Sequence, residues 1–276
     1  MCYNPNFVKV CERFDAELGE YKKDFRFVTY ADDWDYTLPC GKCAECLAQK
    51  SLEWSYRIML ESKDYKKNCF ITLTYKNNPV TLKKKDYQDF FKRLRKRIGK
   101  FRYFLCGEYG SKGKRPHYHA IIFGWFPEDA EPVLGSDYYG SKILEEIWGL
   151  GFVSVGDLTQ YDAKYCAKYM QKLQDVGPEV LQPFVSMSLK PGLGYNQFMQ
   201  HKESYVNSDK IYYQGKYIKL PRYFLKKIFD VGDEDSNFVS LMNIKKYRDI
   251  RSSLVPNTFE NFVERKKRYK KLLTDD

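Results

Sequence analysis

The sequence predicts an α+β domain built on an antiparallel sheet, and three observations lead there. From residue 68 the apolar patterning changes period in the order strand, helix, strand, strand, helix, strand, a split βαβ (βαββαβ) arrangement. Two of those strands, FRYFLCGEYG (101–110) and HYHAIIFGW (117–125), are parted only by SKGKRP, a loop short enough for a hairpin. Tyr (24) and Phe (19) dominate the aromatic residues, which supply large apolar groups for a core in a chain of 276 residues.

Residues 1–39 read as an N-terminal extension in which the alternation of DFRFVTYADDWDYTL predicts short strands. CGKCAEC (40–46) then runs into AECLAQKSLEWSYRIMLESKDY, free of Pro and Gly, with Leu47, Trp54, Ile58 and Leu60 at roughly helical spacing. NCFITLTY (68–75) is β-branched and aromatic, closes on the turn-prone KNNP, and as a strand would put Thr72 and Thr74 on one face. Thr81 is expected to cap the next helix, where Tyr87, Phe91, Leu94 and Ile98 form the apolar stripe and Gly99 ends it. After the hairpin, residues 126–140 read as a loop, ILEEIWG as a helix, GFVSVGDL as a strand and DAKYCAKYMQKLQ as a helix. A sheet of this order is expected to leave one face open. The core is thus placed at 40–175, with a C-terminal elaboration at 176–276 that carries turn signals and ends in the basic helix NTFENFVERKKRYKKLL.

Lys and Arg exceed Asp and Glu by 47 to 36, a net charge of +11. A basic, Tyr-rich surface suits phosphate neutralisation and base stacking, so nucleic acid is the leading partner. No apolar run reaches the roughly 18 residues of a membrane span, and the start lacks the apolar core of a signal peptide. A soluble, intracellular protein without a membrane partner is expected.

Two of the three histidines, His117 and His119, sit one residue apart in a strand, so their imidazoles share a side while Tyr118 points away. The hairpin offers Glu108 opposite them as a third ligand. Two histidines and one carboxylate, with positions left open, suit a catalytic divalent ion such as Mg2+ or Mn2+. The second constellation is YDAKYCAKYMQK: on a helix Tyr165 and Tyr169 align, with Lys168 and Lys172 near the same edge, and Tyr161 continues the spacing. Paired phenols beside cations fit phosphoryl transfer, since a phenol needs such surroundings to react at neutral pH.

Cys40, Cys43 and Cys46 supply three thiols where a structural zinc takes four ligands, with Cys2, Cys11, Cys69 or His201 to complete the set; the other reading is a turn of reduced thiols capping the helix that follows. Cys106 and Cys166 read as small core residues. Lys114 and Arg115, in the hairpin loop, are the best placed to touch DNA, while KKKDYQDFFKRLRKR reads equally as a phosphate path or a solvated helix face.

Together these residues resemble the HUH endonucleases that initiate rolling-circle replication, and within them the replication initiation proteins of microviruses, especially the gokushovirus branch. FITLTY resembles the first motif of the family, RPHYHAIIFG its histidine-hydrophobic-histidine motif and YCAKY its tyrosine motif, in family order, and PCGKCAEC, SMSLKPGLGY and LPRYF also look like this branch. The resemblance implies a nickase of single-stranded viral DNA and of the replicative-form origin. In it His117, His119 and Glu108 hold the metal, Tyr165 or Tyr169 attacks to leave a 5′-phosphotyrosine and a 3′-OH, Lys168 attends the phosphate, and the second tyrosine serves termination. It further implies the bacterial host cytoplasm, with a host polymerase and a host helicase as partners, since G-x4-GK[ST] is absent. The alternatives are a relaxase or transposase of the same superfamily, which the downstream tyrosine pair argues against, and a non-catalytic RRM-like nucleic-acid binder with a zinc clip.

Overall fold

The computed structural model describes residues 5–16, 19–29, 32–34, 36–110, 113–168, 179–206, 210–221, 223, 224 and 227. They fall into two compact units, one ending at Gln49 and one beginning at Lys50.

In the first unit β1 (Asn6–Asp15), β2 (Glu20–Val28) and β3 (Tyr36–Leu38) form an antiparallel sheet of order β2-β1-β3. The alternation in DFRFVTYADDWDYTL does make strands, and they pair with a ten-residue strand, β1, that the apolar pattern does not mark. Helix α1 (Ala44–Ser62) begins in this unit, its first turn closed by the Leu47 N–H on the Cys43 carbonyl at 3.0 Å.

The second unit is organised by β4 (Asn68–Tyr75), α2 (Lys84–Ile98), β5 (Arg102–Tyr109), β6 (Pro116–Phe123), β7 (Glu131–Pro132), β8 (Tyr139–Gly140), α3 (Lys142–Trp148), β9 (Gly151–Asp157) and α4 (Gln160–Lys168). Then follow β10 (Phe184–Met187), α5 (Tyr195–Gln200), α6 (Lys202–Val206) and the hairpin β11 (Lys210–Tyr213) and β12 (Lys216–Lys219). The sheet order is β10-β5-β6-β4-β9-β8-β7, antiparallel at each pairing. Its central four strands, β5-β6-β4-β9, have the split βαβ order that the sequence predicts. The stretch expected to be loop at 126–140 contributes the short β7 and β8 to one edge, and β10 extends the other.

Both faces of the sheet are covered, which corrects the expectation of an open face. On one, Ile71, Leu73, Tyr118, Ala120 and Ile122 pack against Phe90, Phe91 and Leu94 of α2 and Trp148 of α3. On the other, Phe70, Phe104, Cys106, Ile121 and Phe123 pack against Ile58 of α1, Ala163 and Cys166 of α4, and Leu193. The reason is in the strands: FITL and AIIF are apolar at successive positions rather than alternate ones, and burying such a side chain contributes about 1.5–3 kcal/mol. Cys106 and Cys166 are indeed core residues.

Thr81 is not the cap of α2. The helix starts at Lys83 without a side-chain cap, and the backbone N–H groups of Leu82 and Lys83 donate instead to the hydroxyls of Tyr109 (3.1 Å) and Tyr118 (3.0 Å). Thr81 Oγ1 accepts from the Leu181 N–H at 2.9 Å. Gly99 ends the helix as expected, at φ 84°, with its N–H on the Arg95 carbonyl.

Candidate active site

Strands β5 and β6 build the site. Their register sets Glu108 directly opposite His117, and Cys106 opposite His119, so the three ligand side chains lie on the face that α4 covers. Tyr118, between the histidines, is fully buried on the other face, where its hydroxyl helps hold the start of α2. The intervening aromatic thus ties the site strand to the helix behind it.

Glu108 Oε1 lies 2.8 Å from His117 Nε2 and 3.1 Å from His119 Nε2. The other ring nitrogens are fixed from behind: His117 Nδ1 donates to the Arg115 carbonyl at 2.9 Å, and His119 Nδ1 is 2.9 Å from Thr72 Oγ1. Phe70 stacks on the His119 ring at 5.4 Å between centroids. A carbonyl only accepts, so His117 carries its proton on Nδ1, and its Nε2 faces the site as a ligand atom. Burial pushes His119 below its ordinary value, against the opposing pull of Glu108, and so favours the neutral ring that binds metals. Burial pushes the Glu108 carboxyl up, but hydrogen bonds with His117 and His119 and the field of the two rings outweigh it, leaving the group below its ordinary value.

These residues fit a divalent cation. Glu108 Oε2 is buried and has no hydrogen-bond partner among the described residues, so a cation would satisfy it. Two donors held at right angles about 2.1 Å from one ion lie about 3.0 Å apart, close to the separations seen here. The Arg115 carbonyl and Thr72 hydroxyl behind the rings are the orienting partners that metal-bound imidazoles require.

Helix α4 brings the tyrosine. Tyr165 is half-buried, its ring meets His119 edge-on at 5.1 Å between centroids, and its hydroxyl is 3.5 Å from Glu108 Oε1, the outer limit of a hydrogen bond. Asp162 starts the helix, accepting from the backbone N–H of Thr159 at 2.9 Å and its hydroxyl at 2.6 Å. Tyr161 is 73% exposed and stacks on Tyr165 at 6.2 Å, on its outer side rather than at the ligands. Lys168 is exposed in the last turn; Tyr169 and Lys172 lie outside the described residues.

Lys114 is exposed in the β5–β6 turn with φ 49°, and Arg115 leads directly into the site strand, bonded through Nη2 to the Tyr75 carbonyl. Helix α2 packs on the far face of the sheet, and its Arg93 donates to the Ile147 and Trp148 carbonyls of α3, so its basic run does not border the histidines. Cys40, Cys43 and Cys46 are brought together with their sulfurs within 4.8 Å of one another; among the described residues, Cys11, Cys69 and His201 do not join them. Cys2 lies outside the described residues. Sequence reasoning missed Thr72 as a partner of His119, although placing it on one face with Thr74 was the signal, and it missed Phe70.

Residues 68–174, which span β4 to α4 and include all of Glu108, His117, His119 and Tyr165, match the family of ORF2-type replication-associated proteins. The chain is 31% identical over 251 residues to the replication-associated protein ORF4 of Chlamydia phage 1, a match covering 82% of this chain and 63% of that protein. It is 31% identical over 218 residues to the replication-associated protein ORF2 of Spiroplasma virus 4 (70% of this chain, 68% of that one). It is 29% identical over 209 residues to the replication-associated protein VP4 of Bdellovibrio phage phiMH2K (68% and 66%). The chain thus spans less than two thirds of the Chlamydia phage relative. No solved structure matches.

Proposed function

We propose that this chain, which belongs to the replication-associated proteins of microvirus-like phages, is an origin endonuclease that nicks single-stranded viral DNA and rejoins it in rolling-circle replication. The observation that carries this reading is the convergence of both histidines and the Tyr165 hydroxyl on one Glu108 oxygen. Bound by His117, His119 and Glu108, Mg2+ or Mn2+ would supply Lewis-acid polarisation of the scissile phosphate.

The rest is the work of the chain. The Arg115 carbonyl and Thr72 hold the imidazoles in ligand orientation, and the apolar wall of Phe70, Ile121 and Cys166 keeps the floor of the site dry. Tyr165 attacks phosphorus as the bond to the 3′ oxygen breaks, its proton passing by way of Glu108 or solvent to the departing oxygen. The products are a 5′-phosphotyrosine and a 3′-OH that the host polymerase extends. Tyr169, one helical turn on in sequence, is the second nucleophile, which attacks the regenerated origin so that the freed 3′-OH can close the circle on the first phosphotyrosine. Lys168 and Lys172 neutralise phosphate nearby, and Lys114 and Arg115 hold the incoming strand.

This assigns the protein to the bacterial host cytoplasm and leaves unwinding to a host helicase. Among the described residues no helix is long and apolar enough to cross a membrane.

The test is incubation of the full chain with circular viral-strand DNA and Mn2+ or Mg2+, with and without EDTA. A metal-dependent covalent adduct with a polymerase-extendable 3′-OH is expected. Tight binding without adduct on DNA that includes the origin would leave a nucleic-acid binder.

A further inference from the structure

The three thiols at the start of α1 take no part in the chemistry above, yet the fold converges them. Gly41, at φ 72°, makes the turn that returns the chain between Cys40 and Cys43. The backbone N–H groups of Lys42 and Cys43 both donate to Cys40 Sγ, at 3.4 and 3.3 Å. Cys43 immediately precedes the 19-residue helix and Cys46 lies in its first turn, so two of the sulfurs sit where the helix dipole favours negative charge. Cys40 Sγ and Cys46 Sγ are 4.0 Å apart.

That spacing discriminates between chemistries. A disulfide needs about 2.05 Å between sulfurs and would leave the third thiol over. Two thiolates on a tetrahedral zinc, each at about 2.3 Å, lie about 3.8 Å apart. Peptide N–H groups directed at a ligand sulfur are the support from behind that metal thiolates use.

We propose that Cys40, Cys43 and Cys46 are three thiolate ligands of a structural zinc ion that fastens the start of α1, a site separate from the histidine–glutamate centre. The ion locks the CGKC turn onto the first turn of the helix and is not needed for cleavage chemistry.

The experiment is Co2+ and Zn2+ titration of the fully reduced full-length protein, read by absorbance and by metal content after desalting. One tightly held equivalent showing sulfur-to-cobalt charge transfer and tetrahedral d–d bands, displaced by Zn2+, is expected. The charge-transfer band should persist in the His117→Ala, His119→Ala double variant, which separates this proposal from the nickase reading. It should weaken, with at least roughly tenfold lower affinity, in Cys43→Ser and again in Cys46→Ser. Absence of a thiolate band in the reduced wild-type protein, which requires no variant to fold, would overturn the proposal. So would a band unchanged in the Cys40→Ser, Cys43→Ser, Cys46→Ser variant, or an iron–sulfur chromophore with inorganic sulfide in place of zinc.

Discussion

The Tyr165 hydroxyl stands 3.5 Å from Glu108 Oε1, the oxygen that both His117 and His119 also face. Nucleophile and metal ligands therefore meet on one atom contributed by a strand that neither the histidines nor the tyrosine belong to. Tyr165→Phe removes only the attacking oxygen. Cleavage should fall on the order of 10³-fold or more, the scale of losing a nucleophile, while Mn2+ affinity stays unchanged. Single-turnover cleavage beside a Mn2+ titration checks this, and wild-type cleavage by the variant would move the nucleophile elsewhere.

Thr72 acts on the reaction only through His119 Nδ1. Thr72→Val preserves the shape of β4 but frees that ring to turn, so metal affinity should weaken about 10–100-fold. Most of the lost activity should return at saturating Mn2+, which a defect in folding would not allow.

Lys114 occupies a left-handed turn position and is exposed. Lys114→Asn keeps a residue that tolerates that backbone while removing the charge. Affinity for single-stranded DNA should fall at low salt, and the slope of log K against log salt should shrink by about 0.7, one phosphate contact on a single strand. An unchanged slope would remove Lys114 from the DNA path.

The metal-free protein should lose stability on acidification in two stages. His119 is held below its ordinary value of 6.5 by burial, so the unfolded chain takes up that proton first and stability drops as pH falls below about 6.5. Glu108, held below its ordinary 4.5, adds a further loss below that pH. Urea unfolding at stepped pH should show both stages, and His119→Asn should abolish the first.

The sheet order was legible from changes of apolar period alone, and the ligand trio from the hairpin, because strand alternation and a short loop fix which residues face each other. The covering of the second sheet face was less legible: the partners of Phe70 and Ile121 come from α1 and α4, which are distant in sequence. The start of α2 escaped for a related reason, since Tyr109 and Tyr118 hydroxyls from other strands replace the local cap that Thr81 suggested. Short β7 and β8 carry no period to read.

The central claim is a phosphotyrosine at the histidine–glutamate centre, and the sequence makes it directly measurable. Trypsin cuts after Lys164, Lys168 and Lys172, placing Tyr165 in YCAK and Tyr169 in YMQK. Mass spectrometry of the digested adduct, trapped after a first round of Mn2+-dependent nicking, should find the nucleotide on YCAK. A nucleotide on YMQK would contradict Tyr165 as the first nucleophile, and one on neither peptide would contradict the claim itself.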